Sequence, residues 1–428
     1  MIELLMFTLS FLILMAVGIP IAFAFGLSGV FGFILIGAPL DLFAQRMWTG
    51  LDSFVLVSLP FFILAGELMH GSGILARILD FSKMVVGRFK GGLLYVNTLV
   101  AMLFGGINGS AVADASAVGT MLIPAIKKDY EDAPLAAAIT STGSIIGTIL
   151  PPSVPMIIYA FADGNVSIAA LFMAGIVPGI LLGLSMFVVT YFIAKKYNYP
   201  ADDTKYTFKD VILIIRRTIV AGILPLILIV GIVAGIVTPT EAGAIGVLYA
   251  LFVGFFITKE LTLKEVYASI GRTVNISAIV LIMMSIGNVI TWWLTMEGAP
   301  EFISSFLIGI TSNAMVFLVI TFIIFLFIGL FLEQAPAMVM LVPIFAPLAT
   351  TYGIDPIHFG LFVTLVTGLG LITPPVGICL FVTSSIARES LGNVFKRSLP
   401  YFIIMTAVSV MVTLIPQTYM WVPKMLGF

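Results

Sequence analysis

The sequence predicts an all-α polytopic membrane protein built from two inverted-topology repeats, each with a re-entrant helical hairpin and a broken transmembrane helix. Three observations lead there. The 428 residues are 61% hydrophobic and 10% charged, whereas a soluble domain is nearer a quarter charged; a mean hydropathy of +1.20 leaves little surface for water. Basic residues cluster in a few short loops. Two Pro-Pro pairs, Pro151-Pro152 and Pro374-Pro375, interrupt apolar runs at corresponding places.

The same composition excludes several classes. Runs such as 219–237 and 276–294 suit the ~20 residues a helix needs to cross ~30 Å of hydrocarbon, and they lack the alternation of a barrel strand. A net charge of −1 without a basic patch argues against a nucleic-acid partner. One cysteine, Cys379, and two distant histidines, His70 and His358, give little material for a zinc site or a Cys/His catalytic pair. The expectation is no enzyme, no catalytic residue and no cofactor. Met1-Ile2-Glu3 lacks the basic start of a cleaved signal, so the first helix is expected to stay.

Hydropathy marks spans at 4–17, 21–36, 54–69, 133–161, 168–194, 219–237, 242–257, 276–294, 359–386 and 399–417. Gly18-Ile19-Pro20 leaves open whether residues 1–36 form one kinked helix or two. Two further stretches, 91–124 and 314–350, do not fit as single crossings. The first has Arg77, Lys83, Arg88 and Lys90 before it and Lys127 and Lys128 after it. One crossing would put one of those clusters outside, against the positive-inside rule. It therefore reads as a hairpin turning at residues 105–110. The second has no Lys or Arg at its flanks and turns near Glu333-Gln334-Ala335-Pro336, so it reads as a hairpin entered from the outer face.

With those hairpins, every basic residue except Arg46 and Lys424 falls inside, and both termini fall on the outer side. Trp48, Trp292, Trp293 and Trp421 fall at outer span ends, where interfacial tryptophans belong.

The chain then divides into a first repeat over 1–194 (hairpin 91–124, broken helix 133–161), a cytoplasmic linker over 195–217, and a second repeat over 218–428 (hairpin 314–350, broken helix 359–386). An offset of 223 residues relates Pro151 to Pro374 and Gly106 to Gly329. Charge assigns the halves opposite orientations. Inverted repeats with paired broken helices point to a secondary transporter with its site near the midplane. A Pro-Pro pair removes two backbone donors and frees carbonyls, which are costly in lipid unless they line a cavity or bind something. Such carbonyls with nearby hydroxyls suit a hard cation such as Na⁺, while half-helix N-termini favour an anion. For a single Pro-Pro, a plain kink is the competing reading.

At these residues the sequence resembles the large membrane subunit of a tripartite ATP-independent periplasmic (TRAP) transporter. The resemblance rests on Leu59-Pro-Phe-Phe-Ile-Leu-Ala-Gly-Glu-Leu-Met69, Gly109-Ser-Ala-Val-Ala-Asp-Ala-Ser-Ala-Val-Gly119, Leu150-Pro-Pro-Ser153, Thr238-Pro-Thr-Glu-Ala242 and Thr373-Pro-Pro-Val-Gly377. It implies an ion-transporter-superfamily-like elevator and Na⁺-coupled uptake of an organic acid anion delivered by a periplasmic binding protein. It also implies a small four-helix membrane subunit of the Q type, which some relatives carry fused at the N-terminus. Here the chain begins directly at the large subunit, and an outward N-terminus is what such a fusion through one extra helix would require. Sialic acid and C4-dicarboxylates are the family's common substrates. Of the two, sialic acid is the expectation, with no residue to support it.

On this reading, Asn108 and Ser110 with Thr142, Gly143, Ser144 and Pro151 form a first Na⁺ site. Gln334 and Ala335 with Thr367, Gly368, Thr373, Pro374 and Gly377 form a second, in which backbone carbonyls supply more of the ligands. Ser110, Asp114, Ser153, Glu333 and Thr373 are candidates for the substrate, and no metal other than Na⁺ is expected. The competing reading of Ser110 and Asn108 is an N-cap. Asp114 is a functional candidate as an intramembrane carboxylate and equally a structural one near a helix N-terminus. Glu333 either caps its hairpin or repels anions. Glu67 and Glu241 read as helix-end or inter-domain contacts. No Lys or Arg is expected deep in the membrane, so Na⁺, hydroxyls and helix N-termini must hold the anion.

An intramembrane aspartyl protease would need a second acid in a context like that of Asp114, and none is apparent. A passive channel does not need paired hairpins. The nearest alternative is a stand-alone Na⁺-coupled carboxylate carrier that uses no binding protein.

Overall fold

The computed structural model describes residues 2–202 and 204–428; Met1 and linker residue Asp203 lie outside them. Helices make the architecture, with no strand among the described residues. Six helices there are long and apolar enough to cross a bilayer, or eight if each of two bent pairs counts as one span.

Residues 1–36 hold two helices rather than one, Ile2–Ala16 and Ile21–Leu35. Gly18 takes a φ of +91° and Pro20 supplies no N–H, so the chain turns back between them. Phe7 and Phe11 then meet Phe25 at 6.2 and 5.7 Å between ring centroids. This hairpin and the helix Leu40–Thr49 pack on the far half of Leu263–Met296 as a separate core. That packing corrects one expectation. Trp293 is not interfacial: it is fully buried, 5.0 Å from the Phe7 ring and tight against Gly32. Successive helical residues point ~100° apart, so Trp292 alone of the pair faces outward, where Arg46 stacks on it at 5.1 Å.

A framework forms from Ser58–Gly71, Phe208–Val233, Pro239–Phe252 and Leu263–Met296. Several helices start well before their apolar runs, at Phe208 rather than 219, Leu263 rather than 276 and Leu391 rather than 399. The reason is local: Thr207, Thr262 and Ser390 cap them with side-chain oxygens. Ser58–Gly71 bends by 69° into Ile74–Val86, and Glu301–Ile310 by 119° into Ala314–Gly329. Each bent piece leads directly to a hairpin.

The first hairpin pairs Gly92–Asn108 with Ala111–Tyr130, and the second pairs Ala314–Gly329 with Gln334–Thr351. The first turn shrinks to Gly109-Ser110. Gly105 and Gly106 stay helical because they pack against another backbone. The returning arm runs through Pro124 to Tyr130, beyond the expected 124, since Pro is tolerated inside membrane helices and Lys127 and Lys128 favour the helix C-terminus. The second turn is residues 330–333, and Pro336 lies in the first helical turn, where its missing N–H costs nothing. A tyrosine closes each base. The Tyr130 hydroxyl accepts from the Leu93 N–H at 3.0 Å, and the Tyr352 hydroxyl donates to the Thr311 carbonyl at 3.0 Å.

The first broken span is Ala133–Ser144, a 3₁₀ turn Ile145–Thr148, a break, and Val154–Asp163. The second is Pro356–Gly370, a break, and Ile378–Ala387. Asp132 caps the first and Asp355 the second, again 223 residues apart, and both Pro-Pro bonds are cis.

All five basic clusters expected inside are joined to one another. Arg77 meets Glu260 at 3.7 Å, and the Thr218 hydroxyl donates to the Arg77 carbonyl at 3.0 Å. Lys90 donates to Asn198 at 3.3 Å, and Lys127 to the Ala387 carbonyl at 3.3 Å. Arg397 pairs with Asp132 at 2.9 Å, while the Tyr199 hydroxyl donates to the same carboxylate at 3.0 Å. They therefore share one end of the molecule. Arg46 and Lys424 take no part in this network.

Candidate ion and substrate site

The hairpin tips are held by close backbone contact, which requires glycine. A Cβ on Gly105 would stand 2.7 Å from Asp114 Oδ2, and one on Gly147 would stand 2.7 Å from Gly105 Cα. The Val154 N–H donates to the Gly109 carbonyl at 3.3 Å, tying the first tip to the first break. In the second half, a Cβ on Gly329 would lie 3.2 Å from Gly370 Cα.

Around the first tip, the Asn108 amide donates to Asp114 Oδ1 at 3.1 Å. Asp114 is wholly buried, and its Oδ2 has no hydrogen-bond partner. Ser110 occupies the N-cap position without making a capping bond, so its hydroxyl is free for another ligand. The Pro151 carbonyl faces Gly106. The structure thus brings Asn108, Ser110 and Pro151 together. Residues 142–144 lie about two turns further down the span, with Gly143 against Ala101 and Asn97. Their hydroxyls are turned to their own helix: Thr142 donates to the Ala138 carbonyl and Ser144 to the Ser141 carbonyl, both at 2.8 Å. Gly105 and Gly147 were missed by sequence reasoning, although the Gly105-Gly106 pair was a visible signal.

In the second half, the buried Gln334 amide donates to the Thr364 carbonyl and the Thr367 hydroxyl, each at 3.3 Å. Gly368 packs beside Gln334 and also beside Thr148, so the two breaks cross there. Thr373 donates to the Leu369 carbonyl at 2.7 Å, and Gly377 turns the break with a φ of +50°. Thr373, Pro374 and Gly377 form the break loop; Gln334, Thr367 and Gly368 form a separate cluster. Thr364 and Thr148 were not anticipated.

A cavity of about 310 Å³ opens where both tips meet the framework. Residues 108–113 and Ser116 line it from the first hairpin, and residues 333–336 from the second. Ile276, Ile279, Val280 and Met283 of Leu263–Met296 form an apolar wall, with Ile63 and Glu67 beside it. Neither returning arm has a side-chain cap. Two helix starts, at Ala111 and Gln334, therefore direct unpartnered N–H groups and positive dipole ends at one space, an arrangement that attracts an anion.

Of the substrate candidates, Ser110 and Glu333 line this cavity, as does Ala335 from the second set of Na⁺ candidates. Asp114 sits behind it, Ser153 donates to the Thr148 carbonyl at 2.5 Å and caps Val154–Asp163, and Thr373 lies in its own break. Glu241 closes a capping box with Thr238. Glu67 accepts from Arg272 Nε at 2.6 Å, a contact between helices that brings one arginine of the basic end to the rim of the cavity.

The model of the family described as "Tripartite ATP-independent periplasmic transporter, DctM component" matches residues 8–418. The chain is 35% identical over 420 residues to the sialic acid TRAP transporter large permease protein SiaM of Vibrio cholerae, covering 97% of this chain and 96% of that one. It is 32% identical over 428 residues to the C4-dicarboxylate TRAP transporter large permease protein DctM of Rhodobacter capsulatus, covering 97% of each. Among solved structures, the Alcanivorax borkumensis YdaH transporter superposes with a TM-score of 0.63 over 90% of both chains at 14% identity, a likeness of fold alone.

Proposed function

The chain belongs to the DctM component family of tripartite ATP-independent periplasmic transporters, and from that premise we propose that it carries an organic acid anion into the cytoplasm with Na⁺. It is a multi-pass membrane protein and a transporter permease, not an enzyme. The observation that carries the reading is the meeting of two uncapped helix starts, Ala111 and Gln334, in one cavity. A carboxylate accepts from their N–H groups, and Na⁺ bound behind each tip offsets its charge.

In this reading, Asn108, Ser110 and Pro151 carry the first Na⁺, with residues 142–144 supporting from about two turns away. Gln334, Ala335, Thr367, Gly368, Thr373, Pro374 and Gly377 serve the second. Residues 1–194 and 218–428 are repeats inserted in opposite senses, joined by the linker 195–217, with both termini periplasmic in the bacterial inner membrane. Transport is an elevator motion: the hairpins and broken spans slide along the apolar wall of Leu263–Met296 while the bent pieces Ile74–Val86 and Glu301–Ile310 act as arms. An apolar wall suits sliding because it holds no directional bonds that must break.

The substrate class rests on relatives. SiaM and DctM are named for sialic acid and C4-dicarboxylates, and their similar identities do not choose between them. A periplasmic binding protein and a small membrane subunit complete the system.

The test is uptake of labelled acid by proteoliposomes holding this chain, the small subunit and the binding protein. Uptake should require an inward Na⁺ gradient and vanish without the binding protein. Full uptake in K⁺ medium would remove the coupling. Full uptake without the binding protein would favour a stand-alone carrier.

A further inference from the structure

A second crevice, of about 630 Å³, lies at the basic end, between Ile74–Val86 and Phe208–Val233. Arg77, Arg216 and Arg217 line it, while the exposed Leu213 and Ile257 and the half-buried Val220 give it an apolar floor open to the lipid side. The Thr218 hydroxyl holds the two helices together through the Arg77 carbonyl. Arg77 is engaged by Glu260. Arg216 and Arg217 are exposed, and among the described residues neither has an ion pair or a hydrogen bond.

The position of these two arginines is informative. The apolar run 219–237 begins just beyond Arg217 and is as long as one hydrocarbon core. The arginines therefore sit at headgroup level on the basic face. Within the chain only 17% of the apolar window of Phe208–Val233 is buried, so most of that helix meets lipid or a partner. Two adjacent guanidinium forks match the oxygens of a phosphate. Asp80 in the same crevice can accept from a headgroup hydroxyl.

We propose that this crevice binds the phosphate headgroup of an anionic phospholipid, with Arg216 and Arg217 on the phosphate and an acyl chain along the Leu213–Val220 face. A free phosphate would use the charges and leave the apolar floor idle; a lipid uses both. Basic pockets between membrane helices on the cytoplasmic side are suited to such headgroups. The bound lipid bridges the arm Ile74–Val86 to the framework.

The experiment uses the full chain, with any subunit that co-purifies, in neutral detergent. The thermal midpoint is followed while phosphatidylglycerol, phosphatidylcholine or inorganic phosphate is titrated in. Phosphatidylglycerol should raise the midpoint, and the other two should not. The Arg216→Gln/Arg217→Gln variant should lose about ten-fold in apparent affinity for phosphatidylglycerol, near 1.4 kcal/mol. Lys128→Gln/Lys264→Gln, an equal charge loss at the same end, should stay within about two-fold. An equal shift by inorganic phosphate, an equal loss in the lysine variant, or an unchanged affinity in the arginine variant would each overturn the proposal. Should the arginine variant not fold, Leu213→p-benzoylphenylalanine on the otherwise native chain should, on illumination, insert into a C–H bond of phosphatidylglycerol and cross-link to it. Capture of a protein subunit there instead would refute it.

Discussion

Gly370 stands against Gly329 so closely that a Cβ on it would lie 2.6 Å from the Gly329 carbonyl carbon, and Gly147 stands against Gly105 in the same way. Each pair joins the first arm of a hairpin to the helix that breaks beside it. Without side chains between them, the backbone carbonyls of the break and the hairpin tip share one small space, and that proximity is what an ion site needs.

Gly147→Ala should therefore be costly. Its methyl meets Asp114 Oδ2 and Gly105 Cα, and relief requires parting the hairpin from the span. Overpacking of this kind costs about 1–3 kcal/mol. A lowered thermal midpoint and lost uptake are expected. Gly222→Ala, where nothing lies within 4 Å, is the control and should leave the midpoint level or raise it. Equal behaviour of the two variants would show that the contact is unimportant.

Ser110→Ala should raise the half-saturating Na⁺ concentration for uptake by about ten-fold, the equivalent of ~1.4 kcal/mol. Thr142→Val should change it far less, because the Thr142 hydroxyl is already committed to the Ala138 carbonyl. The Na⁺ dependence of initial uptake rates in proteoliposomes distinguishes them. A larger effect at Thr142 would move the site down the span.

Gln334→Ala removes the amide that donates to Thr364 and Thr367. Both groups keep other partners, since the Thr367 hydroxyl donates to the Val363 and Thr364 carbonyls, so the loss is that of the two amide bonds, about 0.5–1.5 kcal/mol each. Hydrogen exchange should speed up at residues 330–337 while the first hairpin is unchanged. Uniform exchange across both hairpins would mean that the tips are not independently anchored.

Asp132→Ala should destabilise more than Asp132→Asn. Asparagine still caps Ala133–Ser144, a bond worth ~1 kcal/mol, and loses chiefly the charge on Arg397. That ion pair is partly exposed, 36% on the arginine side, so its share is at most ~1 kcal/mol. Denaturation midpoints of the two variants give the ordering directly, and an Asn variant as unstable as Ala would make the ion pair the larger contribution.

Hairpins and breaks were legible in the chain because Pro and Gly act locally. Pro151-Pro152 and Pro374-Pro375 cannot continue a helix, whatever surrounds them, and Gly109 permits the turn at the first hairpin, whereas Gly18 fitted a kink as well as a turn. The direction of the hydroxyls of residues 142–144 was not legible, for the opposite reason. A Thr or Ser in a helix can face a ligand or bond back to its own carbonyl, and only packing decides which. The correspondence of Asp132 with Asp355 carries no signal until both are seen to cap a broken span.

By itself the sequence determined that the chain lives in lipid, where it turns back, where it breaks and which ends carry the basic charge. Each of those follows from hydropathy, from the backbone limits of Pro and Gly, or from charge counted along the chain. The tertiary structure alone decided that the two helix starts share one cavity, that Asp114 lies behind it and that Trp293 faces inward. Those outcomes depend on how each helix is rotated about its axis. Rotation is set by contacts between residues far apart in the chain, such as Gly329 with Gly370 and Phe7 with Trp293.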